Sequence, residues 1–278
     1  MRQPLQIDST RLKTIAIGAA IFSALLLAIS CSVDHPRMVN VGNRSLFLNC
    51  SGRTDGPTVV LDSGSGENSA TWSDVQWPVC QFAHVCSYDH AGEGRSPSAG
   101  HAQSIAEEVA DLHALLVAAR VPGPYVMVGH SSGGLRVRRY QEQFPKDVVG
   151  MVLVDSSHEE QVWRFMEAIP GSVYGFPLTP EGLRQVGMLP ARQHLQWHTD
   201  IPLIVIAHGG HMRLPRPMNE HSEVAERLMR ELQQDLASRD PRAQLWIAKN
   251  SGHDIQIDEP ELVVRAIKNV LNQVRKSR

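Results

Sequence analysis

The chain has 278 residues, of which 42% are hydrophobic and 20% are charged, a composition that is ordinary for a globular protein. This length suits one large α/β domain with a substantial core, and two separate domains are not indicated. Lys and Arg number 27 and Asp and Glu number 29, so the formal net charge is -2. With no strongly basic face, the chain is not expected to bind nucleic acid. The short basic cluster of Arg136, Arg138 and Arg139 is interpreted as the solvated face of a helix.

An uncharged run, TIAIGAAIFSALLLAISCSV from Thr14 to Val33, stands near the N-terminus and follows three basic residues. Its 20 residues, at a rise of about 1.5 Å each, are enough for a helix to cross a hydrocarbon core of about 30 Å. Positive charge ahead of such a run predicts that the N-terminus stays inside the cell and that the rest of the chain is exported.

The favoured interpretation is an uncleaved membrane anchor over residues 1–33, because the run is long for the apolar part of a signal peptide. A cleaved signal peptide and lipid attachment at Cys31 are the alternatives. In each case the body of the chain, residues 34–278, is expected outside the cytoplasm. It would be held at the cell membrane or exported to the periplasm or the extracellular space, and a membrane is an expected partner of the N-terminal segment.

Three cysteines lie outside the predicted anchor: Cys50, Cys80 and Cys86. If the body is exported, these cysteines face an oxidising compartment, so one disulfide and one free thiol are expected. Cys50 follows the strand-like SLFLN, and Cys86 lies in the strand-like HVCSYD. If those two strands are neighbours, Cys50–Cys86 is the favoured pair.

Strand and helix signals alternate along the body, which predicts a mostly parallel sheet with helices on both faces. The strand candidates are short runs rich in Val, Ile and Leu, as expected for strands that are buried on both sides. They are Met38–Val41, Ser45–Asn49, Thr58–Leu61, His84–Tyr88, Tyr125–Val128, Val148–Val154, Leu203–Ala207 and Gln244–Ala248.

Helical spacing of apolar residues marks two clear helices between and after these strands. The first is predicted from Ile105, Val109, Leu112, Leu116 and Ala119. The last opens with Pro260, which suits a first helical turn, and runs to about Val274. The long connection over residues 156–200 has no clear strand character and is rich in aromatic residues, so it is predicted to be a small cap insertion over a site.

The segment Gly129-His130-Ser131-Ser132-Gly133 has the pattern Gly-x-Ser-x-Gly, directly after a predicted strand and before a helical stretch, Gly134–Phe144. A serine on such a sharp strand-to-helix turn has a strained backbone and an exposed hydroxyl, and it needs small neighbours. Ser131 is therefore the predicted nucleophile. The backbone N–H of Ser132 is predicted to point at the oxyanion that forms when a carbonyl is attacked.

A serine hydroxyl is a poor nucleophile until a base removes its proton. Of the 13 histidines, His253 in AKNSGHDIQIDEPE is the best candidate for that base. It lies between the last predicted strand and the last helix, on the side where loops gather at the carboxyl ends of the strands. A surface or helix-capping histidine is the alternative interpretation.

Five segments, in order along the chain, resemble those of the α/β-hydrolase-fold serine hydrolases, from about Met38 to the C-terminus. TVVLDSGSG resembles the third strand and oxyanion loop, YDHAGEGRS a glycine-rich turn, GHSSGG the nucleophile elbow, VVGMVLVDSSH the sixth strand and SGHDIQIDEPE the histidine loop. The resemblance implies the α/β-hydrolase fold: a mostly parallel eight-stranded sheet, helices on both faces and a small helical cap insertion over about 156–200. The N-terminal run followed by SLFLNCSG is similar to an uncharacterised bacterial subgroup with one membrane anchor.

Carried over residue by residue, the resemblance implies that Ser131 is the nucleophile and His253 the general base. It also implies that Ser65 supplies the second oxyanion donor through its backbone N–H. Asp62 and Ser63 depart from the family pattern, because many relatives have an apolar residue and a histidine there. This departure puts the position of the oxyanion loop in question.

The acid of the triad is assigned to Asp155, at the end of the sixth predicted strand in VLVDSSHEE. Most relatives carry the acid after the seventh strand, but LIVIAHGGHMRLPRPMNE holds no Asp there, and its first carboxylate is Glu220. Some family members place the acid after the sixth strand instead. Asp155 could then accept a hydrogen bond from His253 and fix its tautomer. Glu220 and Glu223 are alternatives for the acid, and a helix cap is the alternative role for Asp155.

Two histidine pairs could each supply half of a metal site: His194 with His198, and His208 with His211. Neither pair comes with an HExxH glutamate or a cluster of carboxylates. The sequence therefore predicts no metal, and the expected chemistry requires no cofactor.

The expected function is hydrolysis of a small-molecule carboxylic ester through an acyl-enzyme on Ser131. A serine peptidase similar to prolyl aminopeptidases is one alternative. It would need an acidic patch for the free amine of the substrate, for which Glu159, Glu160 and Glu167 are candidates, although solvated helix charges explain them more simply. A non-catalytic binding protein with the same fold is the other alternative.

Overall fold

The computed structural model describes residues 31, 36–53, 55–169, 200–210 and 221–277. The predicted membrane anchor lies outside these residues apart from Cys31, so it stays a prediction. Within the described ranges, no helix is both long enough and apolar enough to cross a membrane. The predicted cap insertion is described only up to residue 169 and again at residue 200.

One eight-stranded sheet forms the centre of the described body, and all eight predicted strands are confirmed to within a few residues. The strands are β1 Arg37–Asn40, β2 Ser45–Ser51, β3 Thr58–Asp62, β4 Val85–Tyr88, β5 Tyr125–His130, β6 Val148–Val154, β7 Leu203–His208 and β8 Gln244–Ala248. Their order across the sheet is β1-β2-β4-β3-β5-β6-β7-β8. β2 is antiparallel to both of its neighbours, and every other pairing is parallel.

Helices follow most of the strands. They are α1 Ser73–Cys80, α2 Ile105–Ala118, α3 Ser132–Gln143, α4 Gln161–Ala168, α5 Ser222–Ser238, α6 Ile255–Asp258 and α7 Pro260–Lys276, with a 3₁₀ turn at Ser69–Trp72. The two helices marked most clearly by apolar spacing, α2 and α7, are confirmed. Helix α2 begins with a capping box in which Ser104 accepts from the Glu107 N–H and Glu107 accepts from the Ser104 N–H.

The sheet is covered on both faces, as the alternating pattern predicts. On one face, side chains from β3, β5 and β6 pack against α1 and α7, including Val79, Val263 and Ile267. On the other face, the opposite side chains pack against α2 and α3, including Leu112 and Tyr140. Because both faces are buried, the central strands are apolar along their whole length. The carboxyl ends of the parallel strands are left as the edge where loops can build a site.

Two disulfides join the four cysteines. Cys50 and Cys86 face each other on the antiparallel strands β2 and β4, with Cα atoms 4.1 Å apart, which confirms the favoured pair. The prediction of one free thiol is wrong, because Cys80 at the end of α1 is bonded to Cys31. Both of these residues are buried in the same apolar cluster as α7. A thiol held in this bridge is not available for lipid attachment.

We expect the Cys50→Ala/Cys86→Ala variant to lose about 3–4 kcal/mol of unfolding free energy, because the bridge closes a 36-residue segment and restricts the unfolded chain. Urea denaturation of the purified protein without reductant measures the loss. As a control, the wild type, denatured without reductant, should bind no maleimide, and Cys80→Ser should expose one thiol. Labelling of the denatured wild type would contradict the pairing.

Candidate active site

The turn between β5 and α3 has the backbone of a nucleophile elbow. Ser131 adopts φ 52° and ψ -122°, a left-handed conformation that is strained for a residue with a side chain. Its glycine neighbours allow the close packing that the turn needs. A Cβ on Gly129 would lie 2.5 Å from the Gly133 carbonyl, and a Cβ on Gly133 would overlap the Asp62 carbonyl oxygen. The predicted requirement for small residues around Ser131 is therefore explained by the geometry.

Hydrogen bonds to the end of β6 hold this turn in place. The Ser131 N–H donates to the Val154 carbonyl at 3.1 Å, and the Ser131 carbonyl accepts from the Ser157 N–H at 2.8 Å. These two bonds bracket Asp155, which directly follows β6 and also has a positive φ, of 40°. The elbow and the predicted acid are thus fixed to each other through the backbone.

His253 lies beside this pair on the loop between β8 and α6. Its Nδ1 is 2.6 Å from Asp155 Oδ2, and its own carbonyl accepts a hydrogen bond from His130 Nε2–H at 3.0 Å. His130 is the residue before Ser131, and the rings of His130 and His253 are 4.7 Å apart between centroids. The structure therefore places His253 in contact with Asp155, at the end of the strand to which the turn of Ser131 is bonded.

The two predicted oxyanion residues also come together. Ser132 is the first residue of α3, where backbone N–H groups have no partner within the helix and the helix dipole favours negative charge. Ser65, on the loop after β3, donates its hydroxyl to Ser132 Oγ at 2.9 Å. The loop after β3 thus lies against the start of α3, where two N–H groups could meet a developing negative charge.

The charges of the acid and the base support each other. Burial raises the pKa of the Asp155 carboxyl, but hydrogen bonds from His208 and His253 outweigh burial and hold that pKa well below its usual range. Burial lowers the pKa of His253, but the hydrogen bond and the charge of Asp155 outweigh it and raise that pKa above 6.5. Asp155 is fully buried, whereas 33% of the His253 side chain is exposed, as a base that must reach a substrate requires.

Of the alternative acids, Glu223 is exposed in the first turn of α5, and Glu220 lies outside the described residues. His194, His198 and His211, which were considered as metal ligands, also lie outside them.

The sequence did not indicate that His208 and Glu226 belong to this site. His208, at the end of β7, lies between Asp155 and Glu226 of α5, with ring nitrogens 2.8 and 2.9 Å from their carboxylates. The sequence indicates His208 only as half of a metal site. Its place at the end of β7, close to where most relatives carry the acid, is the signal that points to the site.

The departure from the family pattern at Asp62 is explained by a buried ion pair. Asp62 Oδ1 accepts from Arg136 Nε at 2.9 Å, and Asp62 also lies within hydrogen-bond distance of Tyr88 and His90. A further guanidinium nitrogen of Arg136 donates to the Ser63 carbonyl. Arg136 thus ties the oxyanion loop to α3, the helix that begins at the elbow.

The interpretation of the basic cluster as a solvated helix face is therefore wrong for two of its three residues. Arg136 is 4% exposed, and Arg138 is fully buried. Arg138 donates to Glu159 at 2.6 Å, and Arg239, which directly follows α5, donates to the other Glu159 oxygen at 2.6 Å. Only Arg139 is partly exposed, where it pairs with Glu142. The pattern of basic residues could not distinguish solvation from ion pairs made with distant parts of the chain.

A second polar cluster supports the oxyanion loop from the other side. Glu67 accepts from the Gly64 N–H at 2.8 Å and lies 3.0 Å from His130 Nδ1. Glu67, His130 and Asp254 have possible metal-ligand atoms within 4.8 Å of one another. The hydrogen bonds of Glu67 already account for its position between the loop and the elbow.

We expect Arg136→Met to lose about 3–5 kcal/mol of unfolding free energy, because it leaves the Asp62 carboxylate buried without its cation. Arg139→Met is the matched control in the same helix. It removes a partly exposed pair and should cost no more than about 1 kcal/mol. Urea denaturation of both variants measures the difference, and equal losses would contradict the buried ion pair.

Comparisons with known proteins show that the chain is similar to hydrolases. The family model described as "Serine aminopeptidase, S33" matches residues 57–171, which include the oxyanion loop, the elbow and Asp155. YqjL, an uncharacterized protein of Bacillus subtilis (strain 168), is 28% identical over 233 residues, covering 78% of this chain and 84% of YqjL.

Solved structures of esterases have the same fold. A thermophilic esterase from Thermogutta terrifontis aligns with a TM-score of 0.61 at 18% identity, over 87% of this chain and 99% of the esterase. Carboxylesterase CesB from Bacillus subtilis aligns with a TM-score of 0.57 at 16% identity, over 90% and 95% of the two chains. The comparisons support a hydrolase, and together with the sheet order they show that the chain has the α/β-hydrolase fold.

Proposed function

We propose that this protein is a serine hydrolase that cleaves carboxylic esters through an acyl-enzyme on Ser131. The observation that carries the proposal is the 2.6 Å contact between His253 and Asp155, next to a serine with the strained backbone of a nucleophile elbow. Esterases among the proteins of similar fold also support it.

In this mechanism His253 Nε2 takes the proton of the Ser131 hydroxyl as Oγ attacks the ester carbonyl. Asp155 accepts the Nδ1–H of the ring and stabilises the imidazolium that forms. The Ser65 and Ser132 N–H groups hold the oxyanion of the tetrahedral intermediate. The intermediate collapses as the carbonyl re-forms and the alcohol leaves with the proton of His253. Water, deprotonated by His253, then attacks the acyl-enzyme, and the carboxylic acid is released from Ser131.

An aminopeptidase is the second candidate function, and the family model described as a serine aminopeptidase is the observation in its favour. Such an enzyme needs a free carboxylate to hold the amine of its substrate. Glu159 is a poor choice, because both of its oxygens are occupied by Arg138 and Arg239. Turnover of aminoacyl p-nitroanilides in preference to p-nitrophenyl esters would favour this second function.

Ser131→Ala should lower kcat/KM for p-nitrophenyl butyrate by about 10³–10⁴-fold or more and abolish labelling by a fluorophosphonate probe, because the nucleophile is lost. Ser132→Ala is the matched control, since it removes the neighbouring hydroxyl but keeps the backbone N–H. Its activity should stay within about tenfold of the wild type. Full labelling of Ser131→Ala would sink the assignment.

The proposed location of the site is outside the cytoplasm, with residues 1–33 as an uncleaved anchor segment whose membrane-spanning part ends before Cys31, because Cys31 is bonded to Cys80 in the core. The two disulfides, Cys31–Cys80 and Cys50–Cys86, support an oxidising compartment. A C-terminal alkaline phosphatase fusion to the full chain should be active in bacterial cells, because that reporter folds only after export. The same fusion without residues 1–33 is the control and should be inactive. An active control fusion would contradict the export role of this segment, and a shortened, membrane-free product would indicate a cleaved signal peptide.

A further inference from the structure

Asp155 is shared between two histidines. Its Oδ2 faces His253, as described above, and its Oδ1 lies 2.8 Å from His208 Nδ1. The backbone N–H of His208 also donates to Oδ1, at 3.2 Å. On its other side the His208 ring faces Glu226, with Nε2 2.9 Å from Oε2. A continuous row of contacts therefore runs from Glu226 through His208 and Asp155 to His253.

Hydrogen bonding determines the charge of the middle residue. An ionised carboxylate only accepts hydrogen bonds, so His208 must donate from both ring nitrogens to satisfy both partners. Such a ring is an imidazolium. His208 is 3% exposed and Asp155 is fully buried, and a buried carboxylate needs a nearby cation to offset its loss of hydration.

The neighbouring charges agree with a cationic His208. Burial lowers the pKa of His208, but the hydrogen bonds and charges of Asp155 and Glu226 outweigh burial and raise that pKa to about 9. Arg230 of α5 also approaches Glu226, with Nη1 3.9 Å from Oε2, but its side chain is 56% exposed, so this contact contributes little. The charge placed directly against Asp155 Oδ1 is that of His208.

We propose that His208, held as a cation between Asp155 and Glu226, is a positioning residue of the triad, which fixes the carboxylate that orients His253 and offsets the charge of that carboxylate. This inference rests on the proposed function. His208 contacts the Asp155 oxygen that does not face His253, so it acts on the base only through Asp155.

The sign of the effect on the base follows from charge. Asp155, Glu67 and Asp254 all raise the pKa of His253, whereas burial lowers it. A cationic His208 beside Asp155 works against this rise and keeps more of His253 unprotonated near neutral pH, where a base must be unprotonated to act. Removing the positive charge should therefore raise the pKa of His253. As the pH is lowered, kcat/KM of the variant would then begin to fall at a higher pH than that of the wild type.

His208→Asn tests this charge, because the asparagine amide can still donate to Asp155 but carries no charge. We expect the acidic limb of kcat/KM for p-nitrophenyl butyrate to move up by about one pH unit, with kcat lowered and KM unchanged. At high pH the rate should return to within about tenfold of the wild type. A merely structural role would instead lower the rate at every pH and leave the midpoint of the limb in place, which would overturn the proposal.

His84→Asn is the matched control, because His84 is also a buried histidine but lies at the opposite edge of the sheet, where it contacts Thr58. Its acidic limb should coincide with that of the wild type. Movement of this limb by the same amount would also overturn the proposal.

NMR titration of the full chain with labelled histidine rings provides a readout that needs no turnover. In the wild type, His208 should titrate well above pH 6.5, and Glu226→Gln should lower that midpoint by removing one of its carboxylates. His208→Asn should raise the midpoint of His253. A wild-type His208 that titrates at or below pH 6.5 would overturn the proposal even if no variant folds.

If the wild type hydrolyses no ester while these midpoints hold, the proposed function fails and the charge arrangement stands.

Discussion

The site depends on one strained turn. Ser131 holds a positive φ between a strand and a helix, and the strain is offset by two backbone hydrogen bonds to the end of β6. Those bonds fix the turn against the end of β6, directly before the proposed acid, Asp155. The glycines around the turn let α3 approach β3 closely enough for the oxyanion loop to reach the start of the helix. The proposed nucleophile, acid and oxyanion loop thus depend on the same local geometry.

Buried charge organises the rest of the site. Two fully buried aspartates lie at strand ends. Asp62 is the last residue of β3, and Asp155 directly follows β6. Each is balanced by a cation from a distant part of the chain, Arg136 in the first case and His208 in the second. An unpaired buried carboxylate would be costly, so the loss of either cation would destabilise the strand end that carries the aspartate. The first pair lies at the proposed oxyanion loop, and the second contains the proposed acid.

Much of the fold and of the candidate site could be predicted from the sequence because the signals are local. Short apolar runs predict buried strands, and the Gly-x-Ser-x-Gly pattern after such a run predicts the elbow at Ser131. The placement of His253 at the carboxyl edge of the sheet followed from the rule that loops meet at the carboxyl ends of parallel strands. The Cys50–Cys86 bridge followed from two strand-like segments that proved to be neighbours. Each of these predictions needed only a local pattern and a general rule of sheet geometry.

By itself, the sequence determined the strands, the two clearest helices and the sharp turn at Ser131, because periodicity and turn chemistry are properties of adjacent residues. Only the tertiary structure decided which charged and thiol groups find partners. Arg136 pairs with Asp62 across 74 positions, His208 pairs with Asp155 across 53, and Cys80 pairs with Cys31 across 49. The sequence pattern therefore favoured a solvated Arg136 and a free thiol. Burial and pairing at such separations depend on the packing of the whole sheet, and no local pattern of residues carries that information.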